Sequence, residues 1–486
     1  MALRFPTVSL LPLDRYGTLF DASQLETIFA RIAELRALLE GRVVWNISSS
    51  AVGGGVAEMV RSLLAYARGA GVDARWAVVQ GSPAFFTVTK RLHNAIHGSA
   101  GDGSPLGPAE QALFERVGHE NAAELLPMVR PGDIAIVHDP QPAAMVAPLA
   151  RAGAHVIWRC HIGHDEINRD VEHAWRFLAP YLQDAEAYVF SRAAYAPPAL
   201  DGARVRVIPP SIDPFSTKNQ PLSPAAARSI LAHTGILAGP EVEPPCFLRE
   251  DGTPGRVDRY AEVLRQGGPP SWQTPLVVQV SRWDRLKDAV GVLHGFARID
   301  AAAAHGAELV LAGPDVHSVA DDPEGAAVYA EVIAAWHALS DEPRHRVHLV
   351  SLPAVDVDEN AAIVNALQSH ASVIVQKSLH EGFGLTVTEA MWKARPIVAS
   401  AVGGIQDQID DGCQGLLVAP TDLDAFARAV ACLLDDRALA EQLAAAARAR
   451  VLERYIGIHS LLRYGALIES LASRIRSVVP ERAVSP

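Results

Sequence analysis

Glu381 and Glu389 lie in the stretch SLHEGFGLTVTEA, with seven residues between them that include Gly382 and Gly384. Paired carboxylates are the usual equipment of glycoside hydrolysis, one serving as acid and the other as base or nucleophile. The surrounding pattern gives the pair a second reading. The β-branched run SVIVQKS precedes the glycines and the helix-like run LTVTEAMWKA follows them, so the glutamates bracket a strand-to-helix turn. Amides near Gly384, Leu385 and Thr386 then lie at a helix start, where free N–H groups face an anion. Glu381, flanked by glycine and aromatic residues, stands where a carboxylate can accept hydrogen bonds from sugar hydroxyls. Glu389, in the first turn, has favouring the helix dipole as its simplest role.

Four further stretches carry chemistry. VVQVSRWDRLKD places Arg282, Arg285 and Lys287 after an apolar run. Arg282 and Lys287 can converge on a diphosphate, the arginine as a planar fork and the lysine as a point charge. Against a net charge of −12 such a basic loop stands out. SSAVGGGVAEM sets Gly53, Gly54 and Gly55 just before an amphipathic run, which admits close backbone approach and helix-start amides to a phosphate. It is neither GxGxxG nor the lysine-bearing phosphate loop. IVHDPQP ends a run with His138, Asp139 and Gln141, and WRCHIGHDEIN ends another with His161, His164, Asp165 and Glu166. HxxHD admits a metal pair, yet no third ligand is apparent and no metal is expected. A histidine facing a sugar, or one satisfied in the core, is the stronger reading.

Strand ends must present these residues. RVVWNIS, DIAIVHD, HVIWRCH, EAYVFS and VRVIPPS read as one series of short buried strands. PLVVQVS, ELVLAGP, RVHLVSL, SVIVQKS and PIVASA read as a second. Buried strands alternating with helical patterns predict parallel sheets in doubly wound α/β layers, with ligands outside the strands' carboxyl ends. At 486 residues the chain exceeds one ordinary core. The expected division is an N-terminal domain over 1–214, a C-terminal domain over 215–458, and a helix over 459–486 returning to the first. The proline-rich region from Pro209 to Trp272 separates the series, PPSIDPFSTKNQPLSP reading as the crossing and PEVEPPCFLREDGTPG as a loop. The acidic charge argues against nucleic-acid and anionic-membrane partners. Four scattered cysteines without a CxxC pair, no signal-peptide pattern and no membrane-length apolar run lead to a cytoplasmic expectation. A homodimer is compatible with the chain.

Taken together, HEGFGLTVTEA, the Arg282–Lys287 loop and the glycine loop make the sequence resemble the retaining GT-B glycosyltransferases, the large family that includes sucrose and glycogen synthases. A narrower likeness, in NISSSAVGGGVAEMVRSLL, ARWAVVQGSPAFFTVTKRLHNAIHG, VHDPQP and RCHIGHD, is to the trehalose glycosyltransferring synthases, which join a nucleoside-diphosphate glucose to free glucose. Trehalose phosphorylases share much of this pattern. The resemblance implies a GT-B fold, two Rossmann-like doubly wound domains facing a deep cleft. It assigns Glu389 to the ribose hydroxyls, Glu381 with Gly382 and Phe383 to the donor glucose, and Arg282, Lys287 and the amides of Gly384, Leu385 and Thr386 to the diphosphate. Gly54 and Gly55 would close over the diphosphate, Leu352 would lie against the base, His161 beside the donor ring and Asp139 near the donor–acceptor junction. Lys90, Asn94 and Gln141 would face the acceptor. Trp283 and Asp284 depart from the small or apolar run of many relatives.

The implied chemistry is front-face substitution, in which the leaving diphosphate takes the acceptor's proton, so neither glutamate attacks. The implied donor is ADP-, UDP- or GDP-glucose. No tightly bound cofactor is implied, and Mg2+ can accompany the nucleotide without being required. Alternatives are a trehalose phosphorylase, transfer to another sugar acceptor, a Rossmann oxidoreductase disfavoured by the missing fingerprint, and a non-catalytic sugar-nucleotide sensor.

Overall fold

The computed structural model describes residues 3–51, 54–316 and 323–478; Gly53 lies outside them. The chain divides into two compact units, residues 1–211 with 457–486, and residues 212–456.

The first unit is built on β1 (Val43–Ser48), β2 (Asp73–Val78), β3 (Ile134–His138), β4 (His155–Cys160), β5 (Ala187–Phe190) and β6 (Val205–Val207). All pair in parallel, in the order β2-β1-β3-β4-β5-β6. The run VVWNIS is buried along its whole length because both sheet faces are covered. Trp45 and Ile47 face one core with Val137 and Trp158, and Val44 faces the other with Ile134, Ile136 and Ile157. The second core also takes Leu467, Ile468 and Leu471 from the terminal helix Gly457–Val478, which packs on the helices Ala22–Leu38 and Gly54–Gly69.

In the second unit, β7 (Cys246–Leu248) and β8 (Pro254–Arg256) form an antiparallel hairpin where a loop is expected from sequence. The main sheet comprises β9 (Glu262–Leu264), β10 (Leu276–Val280), β11 (Glu308–Pro314), β12 (Val347–Leu352), β13 (Val373–Gln376), β14 (Ile397–Ser400) and β15 (Leu416–Val418). Its order is β15-β14-β13-β10-β11-β12-β9, with only β9 antiparallel. The stretch read as a crossing packs onto this unit: the Asn365 side-chain amide donates to the carbonyls of Thr217 (3.0 Å) and Gln220 (2.9 Å).

Each strand order reverses once beside the first of its parallel strands, between β1 and β3 and between β10 and β13. At such a reversal the helices leave to opposite faces and a crevice opens outside the strand ends. The loops after β1, β3, β10 and β13 carry motifs, and the loop after β4 carries His161.

Candidate functional site

In the second unit, the loop leaving β10 and the loop leaving β13 meet. Lys287 Nζ donates to Glu381 Oε2 at 2.6 Å, and the Ser378 hydroxyl donates to the same oxygen at 3.2 Å. Both partners are largely enclosed, their side chains 18% and 11% exposed, so the attraction is screened less than at an open surface. The chain then turns through Gly384 at φ +86°, a left-handed conformation suited to glycine, and the helix Leu385–Trp392 begins. No side chain caps that helix start, which leaves its first amides directed outward at the loop. Thr386 Oγ1 donates to Gln376 Oε1 at 3.0 Å, tying the first turn back to β13. Behind the loop, Gln408 Nε2 donates to the carbonyls of Phe383 and Gly384, and Phe383 is buried. Gly382, Phe383, Gly384, Leu385 and Thr386 thus form a backbone surface held from beneath.

Glu389 is buried one turn further on, 5% exposed, and its carboxylate lies 3.5 Å from Lys218 Nζ. Lys218 belongs to the proline-rich segment. Beside it, Asn219 receives Lys393 Nζ at 3.1 Å on its side-chain oxygen and Trp392 Nε1 at 3.0 Å on its carbonyl. Burial lowers the Lys393 ammonium to about 7, with Glu389 working against the shift and Lys218 adding to it. Each glutamate therefore answers to its own lysine. Two carboxylates arranged to attack and protonate one glycosidic bond would have to share a substrate between them.

Arg282 is the outlier of the basic loop. Its side chain is 60% exposed, with one guanidinium nitrogen 3.3 Å from Asp284 Oδ2. The departure at Trp283 and Asp284 has a structural reason. Trp283 is buried against Gly313 and Tyr329 and donates to the Pro314 carbonyl at 2.9 Å. Asp284 caps the short turn Arg285–Lys287 by accepting from the Leu286 amide at 2.8 Å. The pair anchors the loop to β11. Leu352 is buried at the end of β12, and its carbonyl accepts from the Asp315 amide at 2.8 Å.

In the first unit Asp139 follows β3 with φ +65°, unusual for a residue other than glycine. The surroundings hold it there. Its amide donates to the Arg159 carbonyl (2.7 Å), its carbonyl accepts from Trp158 Nε1 (3.1 Å), and its carboxylate accepts from the His161 amide (2.7 Å). Burial raises its carboxyl to about 6, against the opposing pull of that amide and of Arg159.

A buried polar chain crosses the sheet beneath. Arg159 Nε donates to His161 Nδ1 at 3.3 Å. A guanidinium only donates, so His161 accepts at Nδ1 and carries its proton on Nε2. That nitrogen lies 3.0 Å from His138 Nδ1, and His138 Nε2 lies 2.9 Å from Asn46 Oδ1. The donors run in one direction, from Arg159 through two neutral imidazoles to Asn46. Burial, first, and then the Arg159 charge hold His138 at about 3 and His161 well below the ordinary histidine value. Both His161 ring nitrogens are committed inside the protein, which leaves its ring edge and backbone to meet a ligand.

The remaining sequence candidates are more dispersed. Gly54 opens the helix Gly54–Gly69 at φ +80°, with Gly55 next to it. Gln141 Oε1 is buried with no protein donor among the described residues. Lys90 is exposed on the helix Pro83–Ile96, and Asn94 is half-buried beneath Gly101. Among the described residues neither of these two hydrogen-bonds to Asp139. His164 turns to the Glu166 carbonyl at 2.8 Å, away from His161. Among the described residues no three His, Cys, Asp or Glu side chains gather as metal ligands, and no helix is long and apolar enough to cross a membrane.

Lys218, Asn219, Ser378, Lys377, Gln279 and Arg159 were not among the sequence candidates. The QKS ending of β13 was a usable signal, because a lysine at the end of a fully buried run needs a partner.

Comparison with known proteins speaks to the family and the fold. Residues 46–197 match the family described as "Trehalose synthase, N-terminal domain", and residues 262–450 match "Glycosyl transferases group 1". The trehalose synthase of Rubrobacter xylanophilus is 35% identical over 86% of this chain and 87% of its own. The trehalose phosphorylase of Pleurotus pulmonarius is 25% identical over 96% of this chain and 62% of its own. Among solved structures, the UDP-forming α,α-trehalose-phosphate synthase of Burkholderia xenovorans, in complex with glucose-6-phosphate, superposes with a TM-score of 0.64 at 16% identity. It covers 88% of this chain and all of its own, 100%. That level of identity speaks to fold alone, and the fold is GT-B. With a doubly wound sheet in each unit, a strand-to-helix turn carrying both glutamates and a 35% identical relative, the chain belongs to the trehalose synthase family of glycosyltransferases.

Proposed function

We propose that the protein transfers glucose, with retention of configuration, from a nucleoside-diphosphate glucose to free glucose, releasing trehalose and the nucleoside diphosphate. The observation that carries this reading is the loop pair in the second unit. One ammonium (Lys287) from the loop after β10 meets one carboxylate (Glu381) from the loop after β13, which runs on into an uncapped helix start at Leu385. A diphosphate needs the cation and the amides, and a sugar needs the carboxylate. In this reading Lys287 and the amides of Gly384, Leu385 and Thr386 bind the diphosphate, joined by Arg282 from the exposed side. Glu381, Gly382 and Phe383 meet the glucose, and Glu389 meets the ribose. Leu352 borders the base, and Gly54 and Gly55 approach the phosphates. His161 lies beside the donor ring, Asp139 at the donor–acceptor junction, and Lys90, Asn94 and Gln141 serve the acceptor with Asp139. The protein remains without a resident cofactor, and Mg2+ is not required.

In the transfer, the bond between the glucose C1 and the diphosphate oxygen breaks while a bond from C1 to the acceptor oxygen forms on the same face. The acceptor's proton passes to the departing diphosphate. Charge on that leaving group is what Lys287 and the helix start stabilise. Losing one well-aimed donor of this kind costs about 100- to 1,000-fold in rate, or about 3–4 kcal/mol. Lys287→Ala is expected to fall by that amount while keeping its fold.

A second reading, phosphorolysis of trehalose, is supported by the phosphorylase relative. One experiment separates the two. The protein is incubated with ADP-, UDP- or GDP-glucose and glucose, and in parallel with trehalose and inorganic phosphate. Nucleoside diphosphate and trehalose in the first arm establish the synthase; glucose 1-phosphate in the second alone establishes the phosphorylase.

A further inference from the structure

Directly under the Lys287–Glu381 pair lies a lysine that the transfer chemistry does not use. Lys377, at the end of β13, is 1% exposed. Its ammonium pairs with Asp288 Oδ2 and donates to the Pro420 carbonyl at 2.7 Å. Asp288 is the residue after Lys287. It adopts the left-handed conformation, φ +49° and ψ +46°, and caps the helix Ala289–Phe296 by accepting from the Gly291 amide at 3.0 Å. That conformation is disfavoured for residues with a side chain and is best tolerated by aspartate and asparagine.

The neighbouring backbone is tied down on the same side. The Leu286 carbonyl accepts from the Leu379 amide at 2.7 Å. The Lys287 carbonyl accepts from Gln279 Nε2 at 3.0 Å, and the other end of that amide, Gln279 Oε1, accepts from the Lys377 amide at 3.2 Å. Three consecutive residues, 286–288, are thereby fixed to β10 and β13. Of these ties, only the one at Asp288 is an ion pair. A buried ion pair gives little net stability for its desolvation, but breaking it from one side leaves an uncompensated charge. A buried charge pair in this place is better accounted for by orientation than by stability.

We propose that Lys377 is a positioning residue: through Asp288 it sets the backbone from which Lys287 reaches the donor's diphosphate. The proposal rests on the role given to Lys287 above. Lys377 touches no substrate and acts on the leaving group only through Lys287.

The test is a double-mutant cycle in the full-length protein, using whichever of ADP-, UDP- or GDP-glucose the wild type turns over. Lys377→Met keeps length and removes charge. Asp288→Asn breaks the same pair from its 19% exposed end while keeping a cap and a residue tolerant of the left-handed turn. If Lys377→Met does not fold, the cycle is run with Asp288→Asn. Each variant is expected to lower kcat about 10- to 100-fold, the penalty for a misplaced catalytic group, with a smaller change in KM. In a Lys287→Ala background, either change is expected to cost less than about 3-fold more, since residues acting through one group are not additive. A full further loss in that background would overturn the proposal, as would wild-type kcat in both single variants. Near-wild-type turnover in Lys287→Ala alone would remove the functional reading first, a result distinct from additivity.

Discussion

Replacing Asp139 by asparagine is expected to make the protein more stable and less active, with the gain in stability appearing only above about pH 4. Asparagine keeps the shape, accepts the His161 amide, and is among the residues best suited to φ +65°. The change therefore removes one thing, the ionised carboxylate. Burial raises that carboxyl from an ordinary 3.8 to about 6. A raised carboxyl favours the neutral form in the fold, so its contribution is fully present below about pH 4 and is lost as the pH climbs through about 6. At about 1.4 kcal/mol for each tenfold change in proton affinity, the interval corresponds to a cost of at most about 3 kcal/mol at pH 8. Urea unfolding at pH 4 and pH 8 measures it directly. Asp139→Asn should match the wild type at pH 4 and exceed it by up to about 3 kcal/mol at pH 8. In the wild type, turnover should fall as the pH drops through about 6, where the carboxylate is protonated, whereas the variant should be slow at every pH. An equal stability difference at both pH values would refute the reasoning, because it would show that the charge is not what the fold resists.

Three other changes probe the second unit. Glu389→Gln should weaken nucleoside diphosphate binding about tenfold or more by calorimetry, the usual scale for a charged hydrogen bond, and unchanged affinity would remove the ribose role. Lys393 has a lowered ammonium, about 7 against an ordinary 10.5, so its contribution is present above about pH 10.5 and lost as the pH falls through about 7. Lys393→Met should flatten that part of the stability profile, and an unaltered slope between pH 7 and pH 10 would contradict the assignment. Gly313→Ala would set a methyl 2.5 Å from Trp283 Cε2 and 2.9 Å from the Ser281 carbonyl. Overpacking there should cost about 1–3 kcal/mol in urea unfolding and loosen the loop that carries Arg282.

The long buried strands were legible because a strand covered on both faces must be apolar along its length; VVWNIS and HLVSL read as strands without help from the rest of the chain. The hairpin β7–β8 and the edge strand β9 were not. Each is three residues long, and the hairpin contains Pro254 and turn residues. What makes β9 a strand is a partner far away, since it pairs with Leu349, Val350 and Ser351. The site divides in the same way. The glycine turn and the two glutamates carry a local signal, since strand, turn and helix follow one another. That Lys287 meets Glu381 across 94 positions, or that Lys218 meets Glu389, is a matter of which loops the sheet order brings together. Lys218 sits in a proline-rich stretch with no periodicity, where nothing local points to a buried carboxylate. Arg159 was hidden differently: it lies inside an apparent core strand, and although His161 is two residues away, the Ser191 hydroxyl and the Ile208 carbonyl that also satisfy it come from segments 32 and 49 positions on.

The terminal helix Gly457–Val478 has a consequence for how the chain comes into being. It supplies Leu467, Ile468 and Leu471 to the same core as Val44, Ile134 and Ile157, yet a ribosome delivers it after the whole of residues 212–456. The unit that is translated first is thus completed last. Through the synthesis of its neighbour, one face of its sheet waits without its last cover, and its final cooperativity depends on an encounter between two stretches that the whole second unit separates.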